Sequence, residues 1–336
     1  MIDFRYHVVS LISVFLALAV GIVLGAGPLR ENLGDQLVGQ VEQLRTERDA
    51  MRTTNDDLTR RNEQLSSYIT ATAPDLVAGQ LRGRKTVVIT DDSSTRASAK
   101  AITDLLDEAG AAVPLEVALA APLWAPDAAS ARHQAVADLR AKVPALPLNG
   151  QDDIQRLSGA VGTLLTASGN RLSGDQREAA WKVLTSAGLV SADGDRRTPV
   201  DSAVFASAAP ESFVVDSDKP KAASARTQGV IAAQTSLLMS LDSRRAATVL
   251  ASTTPGENDS QGIIRVARAD RQLDGITTTD GLQDAAGPPL TVLALIEQVH
   301  GGSGSYGTGS AADARVPDLS SIGIVKEGST SDGGAG

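Results

Sequence analysis

The N-terminal part of the chain is marked by a nearly continuous run of apolar residues. From Val8 to Leu29 there is no formally charged side chain. About twenty such residues are enough for a helix to cross the hydrocarbon core of a bilayer. We therefore predict a short N-terminal tail over residues 1–7 and a transmembrane helix over residues 8–29.

A cleaved signal peptide is the alternative interpretation of this run. Signal peptides have an apolar stretch of about 7 to 15 residues behind a basic start. The run here is longer, and its start, MIDFRYH, contains one arginine. We therefore expect an uncleaved anchor. Nearby Lys and Arg residues do not decide its orientation. A short N-terminus before a long domain is nevertheless typical of a single-pass plasma membrane protein whose C-terminal domain is exported.

Small residues recur at every fourth position of the apolar run. Ser13, Ala17, Gly21 and Gly25 therefore share one helix face, and the last two form a GxxxG pair. This pattern lets two membrane helices pack closely. The general frequency of Gly and Ala in membrane helices is the alternative explanation.

The second pattern is a seven-residue repeat, which predicts a coiled-coil stalk over residues 30–72. Position d holds Leu37, Leu44, Met51, Leu58 and Leu65, and position a includes Arg48, Asn55 and Asn62. Asn at position a fixes the register and favours a parallel pair. A helix packed on its own domain is the alternative, but the segment lacks a wide apolar face. We therefore expect a parallel homodimer, with Gly21, Gly25 and the heptad residues at its interface.

The third pattern alternates strands with helices. TVVIT at residues 86–90 is typical of a buried parallel strand, a helix follows to Glu108, and AAVPLEVAL predicts a second strand. Further helices are predicted around residues 128–142, 152–166, 174–187, 222–242 and 288–300. Further strands are predicted near residues 203–206 and 212–215, in AATVLAST and in IIRVARA. We expect a Rossmann-like α/β domain over residues 84–300, with a mostly parallel sheet and helices on both faces.

Two boundaries follow from glycine and proline. Pro74 and the stretch from Gly79 to Gly83 are predicted to end the stalk helix. After the last helix, GGSGSYGTGS begins a Gly/Ser-rich segment, which predicts a disordered tail over residues 301–336.

Composition restricts the partners and the chemistry. The 336 residues have a net charge of −9, which argues against a nucleic-acid partner. Aromatic residues make up 3% of the chain, so the core must consist of small aliphatic side chains. With no cysteine, the chain forms neither disulfides nor thiolate metal sites.

Candidate catalytic or metal-binding residues are few. Asp91 and Asp92 follow the first strand, where α/β sheets place ligands, but turn and cap roles are common for such residues. The sequence contains no GxGxxG, Walker, HExxH or GxSxG motif. The histidines, His7, His133 and His300, are scattered, whereas a copper site needs several ligands together. We expect His300 to cap a helix, and we predict no enzyme and no bound cofactor.

A family resemblance is carried by three stretches: DFRYHVVSLISVFLALAVGIVLG, the heptad stalk, and ARAD (residues 267–270) followed by LTVLALIEQVHGGSGSYGTG. Together they resemble the MctB family of actinobacteria, which also includes SteB. The family is labelled copper transport outer membrane protein. The resemblance implies copper efflux or homeostasis, and on the SteB side cell-envelope assembly and control of peptidoglycan hydrolysis.

The late loop departs from the family pattern. That loop usually reads GGxGHYG, but here Ser305 precedes Tyr306, so the family's candidate copper-binding imidazole is absent. Copper is therefore implied by the resemblance alone. The alternative hypothesis is a dimeric coiled-coil scaffold that binds and regulates a cell-wall hydrolase or another envelope protein. Although the family label names the outer membrane, one apolar helix points to the plasma membrane.

Overall fold

The computed structural model describes residues 4–26, 28–169, 171–256 and 262–320. Their helices are α1 Phe4–Ala26, α2 Pro28–Val77, α3 Arg96–Glu108, α4 Ala129–Lys142, α5 Asp153–Leu165, α6 Gly174–Ser186, α7 Pro220–Asp242, α8 Ile263–Ala269 and α9 Gly287–Val299. Their strands are β1 Lys85–Thr90, β2 Ala112–Leu119, β3 Val190–Gly194, β4 Ser202–Ser207, β5 Ala247–Ser252, β6 Thr277–Thr279 and β7 Ser305–Tyr306. The chain divides into two compact units, Met1–Leu65 and Ser66–Gly336.

The first unit contains α1 and most of α2. Among the described residues, α1 is the helix long and apolar enough to cross a membrane, with a mean hydropathy of 2.7 over Phe4–Gly25. It begins four residues before the predicted start and ends at Ala26. The residues predicted to form the stalk are helical as part of α2, which begins at a proline, a residue tolerated in the first turn. Pairing of α2 with a second copy remains a prediction.

The prediction that Pro74 ends the stalk helix is wrong. The α2 helix continues through Pro74 to Val77, and Gly79 at a φ of +70° follows its last turn. Proline removes one helical hydrogen bond. Burial of Ala73 and Val77 in the core of the second unit offsets that loss, because both side chains are at most 2% exposed.

The second unit is built on one seven-stranded sheet in the order β3-β2-β1-β4-β5-β6-β7. Neighbouring strands are parallel except β2 and β3, which are antiparallel. The predicted mostly parallel sheet is therefore confirmed. Because β1 lies beside β4, the sheet has the doubly wound order of a Rossmann fold, with its switch point between these two strands.

Helices cover both faces of the sheet, as predicted. Successive residues of a strand point to opposite faces. Val87 and Ile89 of β1 accordingly join a core formed with α4 to α8, which includes the buried Trp181. Val88 joins the opposite core, formed with α3, α9 and the last turn of α2. Apolar side chains on both faces explain the continuous hydrophobic runs of the central strands.

Two predicted strands are helical instead. Residues 212 and 213 belong to a short 3₁₀ helix, Pro210–Phe213, which residues 214 and 215 follow as irregular chain, and IIRVARA forms α8. In α8 the buried residues are Ile263, Ile264 and Ala267, a spacing that matches one face of a helix. A short apolar run such as IIRVARA fits both a helix and a buried strand, so the sequence alone did not decide between them.

The structure also differs from the predicted end of the domain. β7 pairs in parallel with β6, and the Gly307 amide donates to the Ala314 carbonyl at 3.0 Å. The fold therefore continues past Gly301, where the disordered tail was predicted to begin. The remainder of that predicted tail, residues 321–336, lies outside the described residues.

Candidate functional site

The carboxyl ends of the central strands form a row of buried polar residues. Asp91 follows β1, Ser207 and Ser252 end β4 and β5, and Asp280 follows β6; each is at most 4% exposed. Ligands of doubly wound folds bind at this edge, beside the switch point of the sheet. The row is therefore the place to search for a site.

At the switch point the chain fills the crevice with its own side chains. Asp91 Oδ2 accepts hydrogen bonds from Ser207 Oγ at 2.7 Å and from Gln234 Nε2 of α7 at 2.8 Å. Its Oδ1 accepts from the Ala208 amide at 2.9 Å. Burial raises the pKa of Asp91 to about 6, although these three hydrogen bonds oppose the shift, and the nearby Asp92 charge adds to it.

The two aspartates after β1 do not act together. Asp92 accepts from the Ser94 amide at 2.8 Å and caps the following 3₁₀ turn, which is the ordinary role expected for it. Asp91 instead joins β1, β4 and α7 in one buried hydrogen-bond network. The sequence did not show this network, because Ser207 and Gln234 are more than a hundred residues away.

A second buried cluster surrounds Asp280. The Arg268 guanidinium lies 3.0 Å from Asp280 Oδ2, with exposures of 3% and 1% for the two side chains. Asp280 Oδ1 accepts from the Thr308 amide at 2.8 Å and from the Gly309 amide at 3.2 Å. A Cβ atom added to Gly307 would lie 2.2 Å from this carboxyl group. The backbone of the glycine-rich loop therefore packs closely against the buried Asp280 carboxylate.

Ser305 and Tyr306 of the glycine-rich loop form strand β7. Tyr306 Oη donates to Glu297 Oε2 at 2.5 Å, and burial together with Glu297 raises the pKa of the Tyr306 hydroxyl. Ser305 pairs with Thr278 of β6, and its amide donates to Asp313 Oδ2 at 3.0 Å. Ser305 thus lies at the edge of the sheet.

The three histidines lie in three different parts of the fold. His133 Nδ1 lies 3.2 Å from Asp153 Oδ2 on the surface, and His7 lies in α1. His300 ends α9, with its amide donating to the Ile296 carbonyl at 3.2 Å, so the predicted capping role is confirmed. Over the described part of the chain, no group of three or more His, Cys, Asp or Glu side chains is placed to hold a metal ion.

A groove of about 780 Å³ lies between α5 and α7. Half of its 18 described lining residues have hydroxyl or amide side chains, and Arg244 is the charged residue among the 18. Arg244 donates to Thr163 Oγ1 at 3.0 Å and to the Ser168 carbonyl at 2.7 Å. A Cβ atom at Gly162 would lie 2.7 Å from Ser240 Cβ, so glycine allows the two helices to approach. The described residues of the groove offer hydrogen bonds but no acid–base pair.

The predicted dimerisation residues lie on the first two helices. A Cβ atom at Gly21 or Gly25 would have no described neighbour within 4 Å. Along α2 the five d residues are between 59% and 71% exposed: Leu37, Leu44, Met51, Leu58 and Leu65. Asn55 and Asn62 lie exposed on the same helix. The five d residues are therefore exposed in the part of the chain that the structure describes.

These features define a class of protein: an α/β chain with an apolar N-terminal helix, a long polar helix and a doubly wound domain whose switch-point crevice is filled by its own side chains. A sequence model of the family described as "Copper transport outer membrane protein, MctB" matches residues 1–317. The chain belongs to the MctB family.

Two curated relatives are both named "Copper transporter MctB". One is from Mycobacterium tuberculosis (strain ATCC 25618 / H37Rv) and the other from Mycobacterium bovis (strain ATCC BAA-935 / AF2122/97). Each is 26% identical to this chain over 324 residues, which cover 93% of the chain and 98% of the relative. The similarity therefore includes the N-terminal helices as well as the α/β domain.

Proposed function

We propose that this chain is a non-enzymatic, membrane-anchored envelope protein that lowers cellular copper by supporting its efflux. The observation that carries the proposal is the family match over residues 1–317, together with relatives of nearly equal length that are named copper transporters. The apolar α1 helix supports a single-pass plasma membrane anchor with an exported α/β domain. Copper is the cargo in this proposal.

The buried clusters support an indirect or transient contact with copper. The carboxyl groups of Asp91 and Asp280 already accept hydrogen bonds from the chain's own donors. Copper(I) prefers thiolate, thioether or imidazole ligands, and the chain has no cysteine and only three methionines. We therefore expect the protein to act on copper together with other envelope proteins.

Gene deletion tests the proposal. We expect the deletion strain to accumulate more copper, measured by mass spectrometry of washed cells, and to stop growing at a lower copper concentration. Expression of the full chain should restore both properties. Unchanged cellular copper and unchanged copper tolerance in the deletion strain would contradict the proposal.

A matched variant tests the role of the anchor. The chain from Pro28 onward, exported behind a cleavable signal sequence, lacks α1 but retains α2 and the α/β domain. We expect this variant not to restore copper tolerance at equal protein abundance. Full restoration would show that the domain works without its anchor.

The uncovered heptad face of α2 favours a second candidate function, a scaffold that binds and regulates a cell-wall hydrolase or an assembly partner. Crosslinking in intact cells followed by purification of the full chain tests it, with separation of daughter cells scored in the deletion strain. Recovery of one cell-wall enzyme together with a separation defect would support the scaffold. Normal separation with no envelope protein recovered would reject it.

A further inference from the structure

The α2 helix has an uncovered apolar face. Val41 at position a is 46% exposed, and the five d residues are more exposed still. Outside this face the first part of α2 is almost wholly polar or charged. Apolar side chains repeating every seven residues form the narrow seam of a coiled coil rather than the wider face of a helix packed on a globular core.

The same face of α2 is not flat. A depression on α2 is lined by Leu44, Glu47, Arg48, Met51, Arg52 and Asn55. In a coiled coil each a or d side chain enters a hole formed by four residues of the facing helix. The lining residues occupy positions d, g, a, d, e and a in turn, so they form two successive holes, one for an a side chain and one for a d side chain.

We propose that the occupant of this face is a second copy of this chain, parallel and in register. In that arrangement Glu47 at position g faces Arg52 at position e of the partner. Because the dimer is symmetric, this ion pair occurs twice. An antiparallel arrangement brings e positions together, where Arg45 would face arginine. In-register pairing also places Asn55 opposite its own copy, so the two amides hydrogen-bond to each other.

Arg48 is the residue of the seam that most needs explanation, because parallel pairing brings two copies of it together. Within one helix its guanidinium lies 2.8 Å from Asp49 Oδ1. This neighbouring carboxylate at position b compensates the charge. The aliphatic part of the side chain can then lie along the seam while its charged end remains in water.

The inference does not depend on the copper role, and cysteine substitution tests it directly. The chain contains no cysteine, so a single introduced thiol has no other thiol to react with in the same molecule. Met51→Cys places the thiol at position d, and Thr53→Cys places it two residues away at position f on the opposite face. Both full-length variants are treated in membranes with a short bis-maleimide crosslinker.

We expect at least about fivefold more crosslinked dimer for Met51→Cys than for Thr53→Cys, because a d position faces its own copy across the seam whereas an f position points away from it. Equal crosslinking at both positions would show non-specific crowding and overturn the inference. Monomers alone at both positions would overturn it too.

The direction of pairing needs two further variants. Leu37→Cys and Leu65→Cys lie near opposite ends of the seam. Parallel pairing in register predicts a crosslinked dimer for each variant expressed alone. Crosslinking that appears only when the two variants are mixed would show antiparallel pairing and overturn the parallel arrangement.

Discussion

The Arg268 guanidinium and the Asp280 carboxylate form an ion pair at the carboxyl end of β6, with 3.0 Å between Nη2 and Oδ2 and both side chains almost fully buried. The same arginine donates to the Tyr306 carbonyl at 3.0 Å. One side chain thus joins α8, the end of β6 and the glycine-rich loop. A charge in that position is tolerated only because its partner and hydrogen bonds replace water.

Removal of one member of this pair should strongly destabilise the domain. We expect Asp280→Ala to lower the free energy of unfolding by about 3 to 5 kcal/mol, because Arg268 is left as a buried, uncompensated charge. Denaturant titration of the full chain in detergent measures this change. The exposed pair of Lys100 and Asp104 provides the control.

Lys100→Ala should change stability by less than about 1 kcal/mol, since exposed ion pairs contribute little. A loss for Asp280→Ala no larger than that of the control would contradict the structural role of the buried pair.

The glycine-rich loop should not tolerate a side chain at Gly307. This residue has a φ of +133°, and an added Cβ would lie 2.2 Å from the Asp280 carboxyl group. Gly301→Ala is the matched control: its φ of +93° is also positive, but no described atom lies within 4 Å of its added Cβ. Strain in such backbone regions costs about 1 to 3 kcal/mol.

We therefore expect Gly307→Ala to destabilise the domain more than Gly301→Ala does, because it adds a steric clash to the backbone strain. Limited proteolysis of the folded protein should cut the Gly307→Ala variant faster after Arg315. Equal cleavage rates for the two variants would show that the loop is not held against Asp280.

The buried carboxyl group of Asp91 should make stability depend on pH. The folded-state pKa of Asp91 is about 6, above the ordinary value of 3.8 for an exposed aspartate. A raised folded-state pKa means that the native protein holds the proton more tightly. The resulting stabilisation is fully present at low pH and is lost as the pH rises through about 6.

Between about pH 4.5 and about pH 7.5 the wild-type protein should lose about 2 kcal/mol of stability that Asp91→Asn does not lose, because asparagine does not titrate. Unfolding curves of both proteins across this range measure the difference. Parallel pH profiles for the two proteins would contradict the raised pKa.

The asparagines at position a should weaken the pairing of α2 helices but fix its register. We expect Asn55→Leu combined with Asn62→Leu to strengthen pairing of α2, because apolar a positions bury more surface. The same variant should lose its unique register. Thermal dissociation of the crosslinker-free protein measures the first effect, with the exposed Asn149→Leu as a control substitution outside α2.

Crosslinking measures the loss of register. The Leu44→Cys and Met51→Cys substitutions are each made in the asparagine-to-leucine background, and the two proteins are mixed. We expect crosslinks between a Leu44→Cys chain and a Met51→Cys chain, because the helices can shift by one heptad. The native asparagines should prevent these crosslinks by fixing the register. Weaker pairing without the asparagines would show that they do not lie in a coiled-coil seam.

Local patterns were sufficient for much of this protein. The apolar run of α1, the polar helix of α2 and the elements β1, α3 and β2 are each predicted by periodicity within a short stretch of sequence. The mostly parallel sheet with helices on both faces followed from the alternation of strands and helices. The resemblance to the MctB family is confirmed by the match over residues 1–317.

Only the tertiary structure decided what depends on distant residues. Asp91 is explained by Ser207 and Gln234, and the glycine-rich loop by Asp280, none of which is a neighbour in sequence. The Gly/Ser-rich composition of the loop is the same whether a glycine such as Gly307 packs against a buried carboxylate or lies in a disordered tail. Sequence patterns therefore determined the elements of this protein, whereas packing at the carboxyl edge of the sheet decided which of its polar residues are structural.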